Sequence, residues 1–279
     1  MSRINYFFFL FLISISLANA FDYDYDIGFG LRRDEFHSSF AAPDEKIKGL
    51  SELSWKDLYL YEVKAALKIV PFSHYNVRLK GDYGRIFHGK HLDANKGEAF
   101  DFSAALGYQS TWFNRCLIFN PMIGWSRHEL HLNDDNAYQV LSSSMPEGDV
   151  IEGRHSHYRT KWKGPWVGID CAAMLVPCWS VKATIEYHWV QFRGIRHQNL
   201  PRDFSQDFKN TAYGKGTIFT IGTQYIWNCL VVGLEYDFAY MQASHGFDRV
   251  YTILGQSRMH LKNACWHSMS LLGTVACLF

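Results

Sequence analysis

The sequence predicts an all-β protein, a closed antiparallel transmembrane β-barrel of about ten strands. Three observations predict it. Apolar residues recur at every second position in run after run. The connectors between the runs are alternately short and long. And the chain of 279 residues is 16% aromatic, yet its mean hydropathy is only −0.17. That hydropathy excludes a bundle of apolar membrane helices, and the aromatic load excludes disorder. Lys+Arg 28 against Asp+Glu 27 leaves no basic surplus, so no nucleic-acid partner is expected.

The first 20 residues read as a secretory signal peptide: Arg3 as the positive start, an apolar stretch from about Tyr6 to Leu17, and Ala18-Asn19-Ala20 as a small-x-small cleavage site. The apolar stretch is too short for a helical span of ~20 residues. The mature chain, residues 21–279, is expected to be a single barrel domain.

Each strand is visible as an alternation. Tyr23, Tyr25, Ile27, Phe29 and Leu31 interleave with Asp22, Asp24, Asp26, Gly28 and Gly30. Tyr59 to Ile69 oppose Glu62, Lys64 and Lys68. Tyr75, Val77, Leu79 and Tyr83 oppose Arg78, Lys80 and Asp82, and Phe100, Phe102, Leu106 and Tyr108 oppose Asp101 and Ser103. Similar runs follow at Leu117–Trp125, Val167–Ala173, Trp179–Trp189, Phe219–Tyr225, Leu230–Tyr240 and Leu271–Phe279. Each is roughly ten residues, the length at which a tilted strand crosses a bilayer. A soluble sandwich alternates too. Three features favour the membrane: Tyr and Trp at the ends of the apolar faces, charges of both signs on the hidden faces, and short turns at one end with long connectors at the other. The long connectors read as Asp34–Ser54, Gly84–Gly97, Asn133–His157, Arg193–Gly214 and Gln242–Asn263. An unpaired strand edge in hydrocarbon costs several kcal/mol per group, so the sheet must close on itself.

A barrel this small fills its bore with side chains. The expected filling is Glu62, Lys64, Arg78, Lys80, Asp82, Asp101, Lys182, Glu186, Glu235 and Asp237. Of the six cysteines, Cys116, Cys171, Cys178, Cys229 and Cys277 fall near the short-turn end, where disulfides within or between chains would stiffen an envelope. Small apolar thiols filling a rim is the equal alternative. No spacing reads as a zinc site, no phosphate-binding glycine loop occurs, and no metal or cofactor is expected.

Leu50-Ser51-Glu52-Leu53-Ser54-Trp55-Lys56, Tyr158-Arg159-Thr160-Lys161-Trp162-Lys163-Gly164-Pro165-Trp166-Val167-Gly168 and Trp189-Val190 resemble strand segments of the omptins, ten-stranded outer-membrane barrels that are surface proteases. In size, signal, alternation and cysteine usage the chain also resembles the Protochlamydia type of outer-membrane protein. The omptin resemblance implies an Asp-x-Asp pair in the second outer loop and an Asp-x-His pair in the fourth, holding a water for which His is the general base. Here Asp93 matches, but Asn95 replaces the second carboxylate. His197 matches, but Ile195 replaces its partner, with Asp203 and Asp207 further along.

The expectation is therefore an outer-membrane barrel with a structural or porin-like envelope role and no proteolysis. The alternatives are an omptin-type endoprotease with rearranged carboxylates, or an adhesin using its long loops. Expected partners are outer-membrane lipid and disulfide-linked or homo-oligomeric envelope proteins of a two-membrane bacterium.

Overall fold

In the computed structural model the described residues are 22–41, 50–72, 74–90, 97–113, 116–134, 156–199, 205–252 and 255–277. The signal segment, the 91–96 segment that contains Asp93, and the terminal Phe279 lie outside them. Eleven strands form one antiparallel sheet: β1 (Asp22–Ala41), β2 (Leu50–Phe72), β3 (Tyr75–Lys90), β4 (Gly97–Tyr108), β5 (Ser110–Trp112), β6 (Leu117–Asp134), β7 (Ser156–Val176), β8 (Trp179–Asn199), β9 (Ser205–Trp227), β10 (Leu230–Thr252) and β11 (Gly255–Cys277). Each pairs with its sequence neighbour except β4 with β5, β1 pairs with β11, and β4 pairs with β6. The three residues of β5 continue the line of β4 after Gln109. The ring is therefore a closed barrel of ten staves, with no free edge among the described strands.

The strands are much longer than the ten residues the alternation predicted. β2, β9, β10 and β11 each hold 23 residues. At ~3.3 Å per residue, tilted by roughly 40°, such a strand rises ~55–60 Å, about twice the ~25 Å of an apolar belt. Much of what read as long outer loops is therefore paired strand. β1 continues to Ala41, β8 to Asn199, and β10 to Thr252.

The reason lies in a change of solvent along each strand. Near the short turns, the outward positions are apolar and exposed, as at Ile27, Phe29 and Leu31 on β1 or Ile185, Tyr187 and Trp189 on β8. The inward positions there are charged. Further up, the parity of the strand is unchanged but its content inverts. Arg33 and Glu35 now point outward, while Phe36, Leu58, Leu60, Trp162, Phe192 and Leu261 point inward and are buried. Below the belt edge the outer surface meets lipid and the bore is polar. Above it the outer surface meets water, and the bore becomes an ordinary hydrophobic core. The belt abuts the short-turn end, which places those turns on the periplasmic side.

Two irregularities sit at the belt edge and above. Asp57 has φ 54° where the β1–β2 register shifts, and Arg33 holds its carboxylate at 2.7 Å. His245, φ 56°, marks the shift between β9 and β10. Both are bulges that bend the wall.

Candidate functional site

Within the belt, the bore is crossed by ion pairs between strands far apart on the ring. Arg32 on β1 sits between Asp34, Nε to Oδ1 2.8 Å, and Asp101 on β4. Lys64 on β2 reaches Glu235 and, at 2.6 Å, Asp237, both on β10. Arg78 on β3 spans to Asp170 on β7 at 2.9 Å and to Glu186 on β8. Lys182 on β8 bonds Glu235 at 2.8 Å and Asp26 on β1 at 3.3 Å. Arg32 and Lys64 are 2% exposed and Glu62, Glu235 and Glu186 no more than 4%, so these charges are stitched across the lumen rather than bathed in it. Alternation delivers them: inward positions on ten staves converge on one axis, and long Arg and Lys stems reach the opposite wall.

The network continues upward. His188 bonds Glu186 through Nε2 and Ser126 Oγ through Nδ1, both at 3.0 Å. A Ser-His-Glu array has the elements of a nucleophile and its base, and here all three groups are buried in the bore. His128 lies 3.2 Å from Asp101, and its ring packs on Trp266. Glu62 Oε2 and Asp82 Oδ1 border a cavity of about 50 Å³ without a protein partner. That space and polarity suit ordered water. On the periplasmic side the bore opens into a vestibule of about 370 Å³ with a mixed lining, Asp26, Lys68 and Asp170 beside Leu67, Ile118 and Ile226 among others.

All ten lumen residues named from sequence thus lie on the inner wall. The ten did not include Arg32 and Asp34, which fall beyond the alternation read on β1, nor Asp26, His128, Asp170 and His188, which the alternation puts on the hidden polar face; these six complete the network. Arg32 and Asp34 share the inward parity of Gly28 and Gly30, and extending that parity past Leu31 would have found them.

Above the ion pairs, aromatic rings close the bore. Trp55 stacks on Tyr158 at 4.8 Å, Phe36 on Phe192 at 6.0 Å, and Trp162 packs on Phe192 at 4.5 Å between centroids. His197 does not stand in a loop as the sequence suggested. It lies in β8, its Cα opposite His157 on β7 and Asp207 on β9, because the ladder runs on to Asn199–Ser205. His157 itself is bonded by Asn133 at 2.7 Å.

On the outer wall above the belt, Glu129 accepts hydrogen bonds from Arg127 Nε and Arg159 Nη2, each at 2.7 Å, and pairs with Lys161 at 3.0 Å. This cluster ties β6 to β7 where both leave lipid.

The expected disulfides are not formed among the described residues. Cys116, Cys171, Cys178, Cys229 and Cys265 are free thiols, and those of Cys116, Cys178 and Cys229 are exposed. Cys171 lies up the wall from the rim, opposite Phe119 and Ala183. The Cα of Cys277 faces Leu230.

Comparison with known proteins agrees with this architecture. The outer membrane protease OmpT from Escherichia coli superposes with a TM-score of 0.73 over 92% of this chain and 96% of its own, at 11% identity. That is a likeness of fold. The Pseudomonas putida toluene transporter TodX aligns with 92% of this chain and 89% of its own at 8% identity, but with a TM-score of only 0.34. No curated protein matches the sequence. The model of the Protochlamydia outer membrane protein family matches residues 26–96 and 90–279. With that match running from the first strand to the last over a closed, belted barrel, the chain belongs to the Protochlamydia outer membrane protein family.

Proposed function

We propose that this protein is a structural barrel of the outer membrane, closed as a single chain and without proteolytic activity. The supporting observation is that the bore is filled twice. Cross-lumen ion pairs fill it within the belt, and a packed aromatic core fills it above. On the outer side of the ion pairs the described bore is packed with Phe36, Trp55, Trp162 and Phe192.

A porin-like role is the second reading. The 370 Å³ vestibule favours it, since a space lined in part by Asp26, Lys68 and Asp170 already opens the bore on the periplasmic side. One preparation tests both. The refolded protein is incorporated into a planar bilayer and is also assayed on a peptide with a basic cleavage site. The structural reading expects no conductance steps from single insertions and no cleavage. Stepwise conductance would establish the pore. Cleavage lost on Asp93→Ala or His197→Ala would establish the protease.

A further inference from the structure

The periplasmic vestibule has an apolar side and a charged side. At the short-turn end of β9, β10 and β11 the last inward positions are Ile226, Val231 and Ala276, and all three line the vestibule. They share the parity of the buried Thr220, Glu235 and Thr274. The register sets them side by side, Val231 facing Ile226 across one ladder and Ala276 across the other. On β2, two strand spacings or ~10 Å from β11, Lys68 has the inward parity of Lys64 and lines the same space. At about 370 Å³ the space falls within the roughly 300–1,000 Å³ of small-molecule sites.

The charges on this wall are matched except at one place. Lys64 pairs with Glu235, Arg78 with Asp170 at 2.9 Å, and Lys182 with Asp26 at 3.3 Å. Half-buried Lys68 has no carboxylate partner among the described residues. Asp24, opposite it on β1, is exposed and forms no ion pair with it, and its neighbour in register on β3 is Arg78, another cation. The Lys68 ammonium donates to Gln109 Oε1 at 2.6 Å. An ammonium carries three donors, so this one has capacity for an anion. A cation drawn partly out of water without a counter-ion is costly, and an apolar patch within reach of it gains by being covered. One ligand satisfies both.

We propose that the vestibule is a binding site for a small organic monoanion with an apolar body, an alkyl carboxylate in the simplest case. Its carboxylate accepts hydrogen bonds from Lys68 Nζ, and its alkyl chain covers Ile226, Val231 and Ala276. The ion pairs of Lys64, Arg78 and Lys182 stand at the inner end of the space, so the ligand is held at the periplasmic mouth rather than passed through. That last point rests on the closed bore proposed above.

The test uses the full chain in lipid nanodiscs, where the vestibule is open to solution, with 6,6,6-trifluorohexanoate as the probe and its fluorine NMR line as the readout. Broadening should saturate above the level of empty nanodiscs. The ammonium with the same tail, 6,6,6-trifluorohexylamine, should not bind, nor should trifluoroacetate, which has the head without the tail. Lys68→Met should weaken binding about tenfold or more, since it removes a charged donor, and Lys68→Arg should retain it. Val231→Thr should weaken it about fourfold, the loss of roughly one buried methylene. Folding of each variant is checked by the heat-dependent gel mobility of a closed barrel. Broadening no greater than over empty nanodiscs, equal binding of the ammonium or of trifluoroacetate, or an unchanged affinity in Lys68→Met or Val231→Thr would each overturn the proposal. Bilayer conductance reports on the closed bore and the fluorine line on the vestibule, so failure of one is not mistaken for failure of the other.

Discussion

Arg32 shows how much depends on a single side chain in a narrow bore. It is almost fully buried, and three carboxylates, Asp34, Glu62 and Asp101, lean on it from three strands. Its ring-side neighbour is Trp266, 5.5 Å from the guanidinium carbon. Removing one member of a buried ionic group leaves its partners uncompensated, at a cost of about 3–5 kcal/mol. Arg32→Ala should lower the unfolding free energy in detergent micelles by that amount. Arg33→Ala, one residue away on the half-exposed outer wall, should cost less than about 1 kcal/mol. Denaturant titration followed by tryptophan emission measures both. Equal losses would show that Arg32 is not the buried hub the pair distances describe.

At the scale of a strand, β7 depends on a close approach that only glycine allows. A Cβ on Gly164 would stand 1.9 Å from the carbonyl oxygen of Trp189 on β8. The β7–β8 ladder skips Gly164 and Pro165, resuming at Trp166 opposite His188. Proline has no N–H to contribute there, and the bare glycine lets β8 press against β7 at the gap. Gly164→Ala should therefore destabilise the barrel by about 1–3 kcal/mol, the range for overpacking. Gly81→Ala, whose nearest contact would be an ordinary 4.0 Å from Asp101 O, should be neutral within about 0.5 kcal/mol. The thermal shift of the two variants side by side is the check, and a neutral Gly164→Ala would mean that the strands part without cost.

For the whole molecule, the inversion along the strands makes a definite statement about height. The apolar belt ends near Leu31, and everything above it on the outer wall, including Arg159, Lys161 and Arg193, stands clear of lipid on the far side from the short turns. In a background without native cysteines, Arg193→Cys should react with a membrane-impermeant maleimide on intact cells. A chain keeping only Cys178 should react only after the outer membrane is permeabilised. The reverse pattern would turn the barrel upside down, and with it the periplasmic placing of the vestibule and of the cysteine turns.

The alternation of the belt was legible in sequence, because there the two faces of each strand meet opposite solvents and the pattern has a clean period of two. It fixed the fold class, the existence of each stave, the inward set from Glu62 to Asp237, and the turns that hold Cys116, Cys178 and Cys229. Above the belt the same strands read as loops. On β1, Arg32-Arg33-Asp34-Glu35 breaks the apolar alternation although the backbone continues unchanged to Ala41. Only the closed structure says that Phe36 turns inward to meet Trp55 and Phe192, because burial above the membrane depends on which walls face each other across the ring. The same holds for the lumen. The sequence states which charges face the bore, whereas the pairing of Lys64 with Glu235 or Arg78 with Glu186 is decided by a circumference that no single strand encodes.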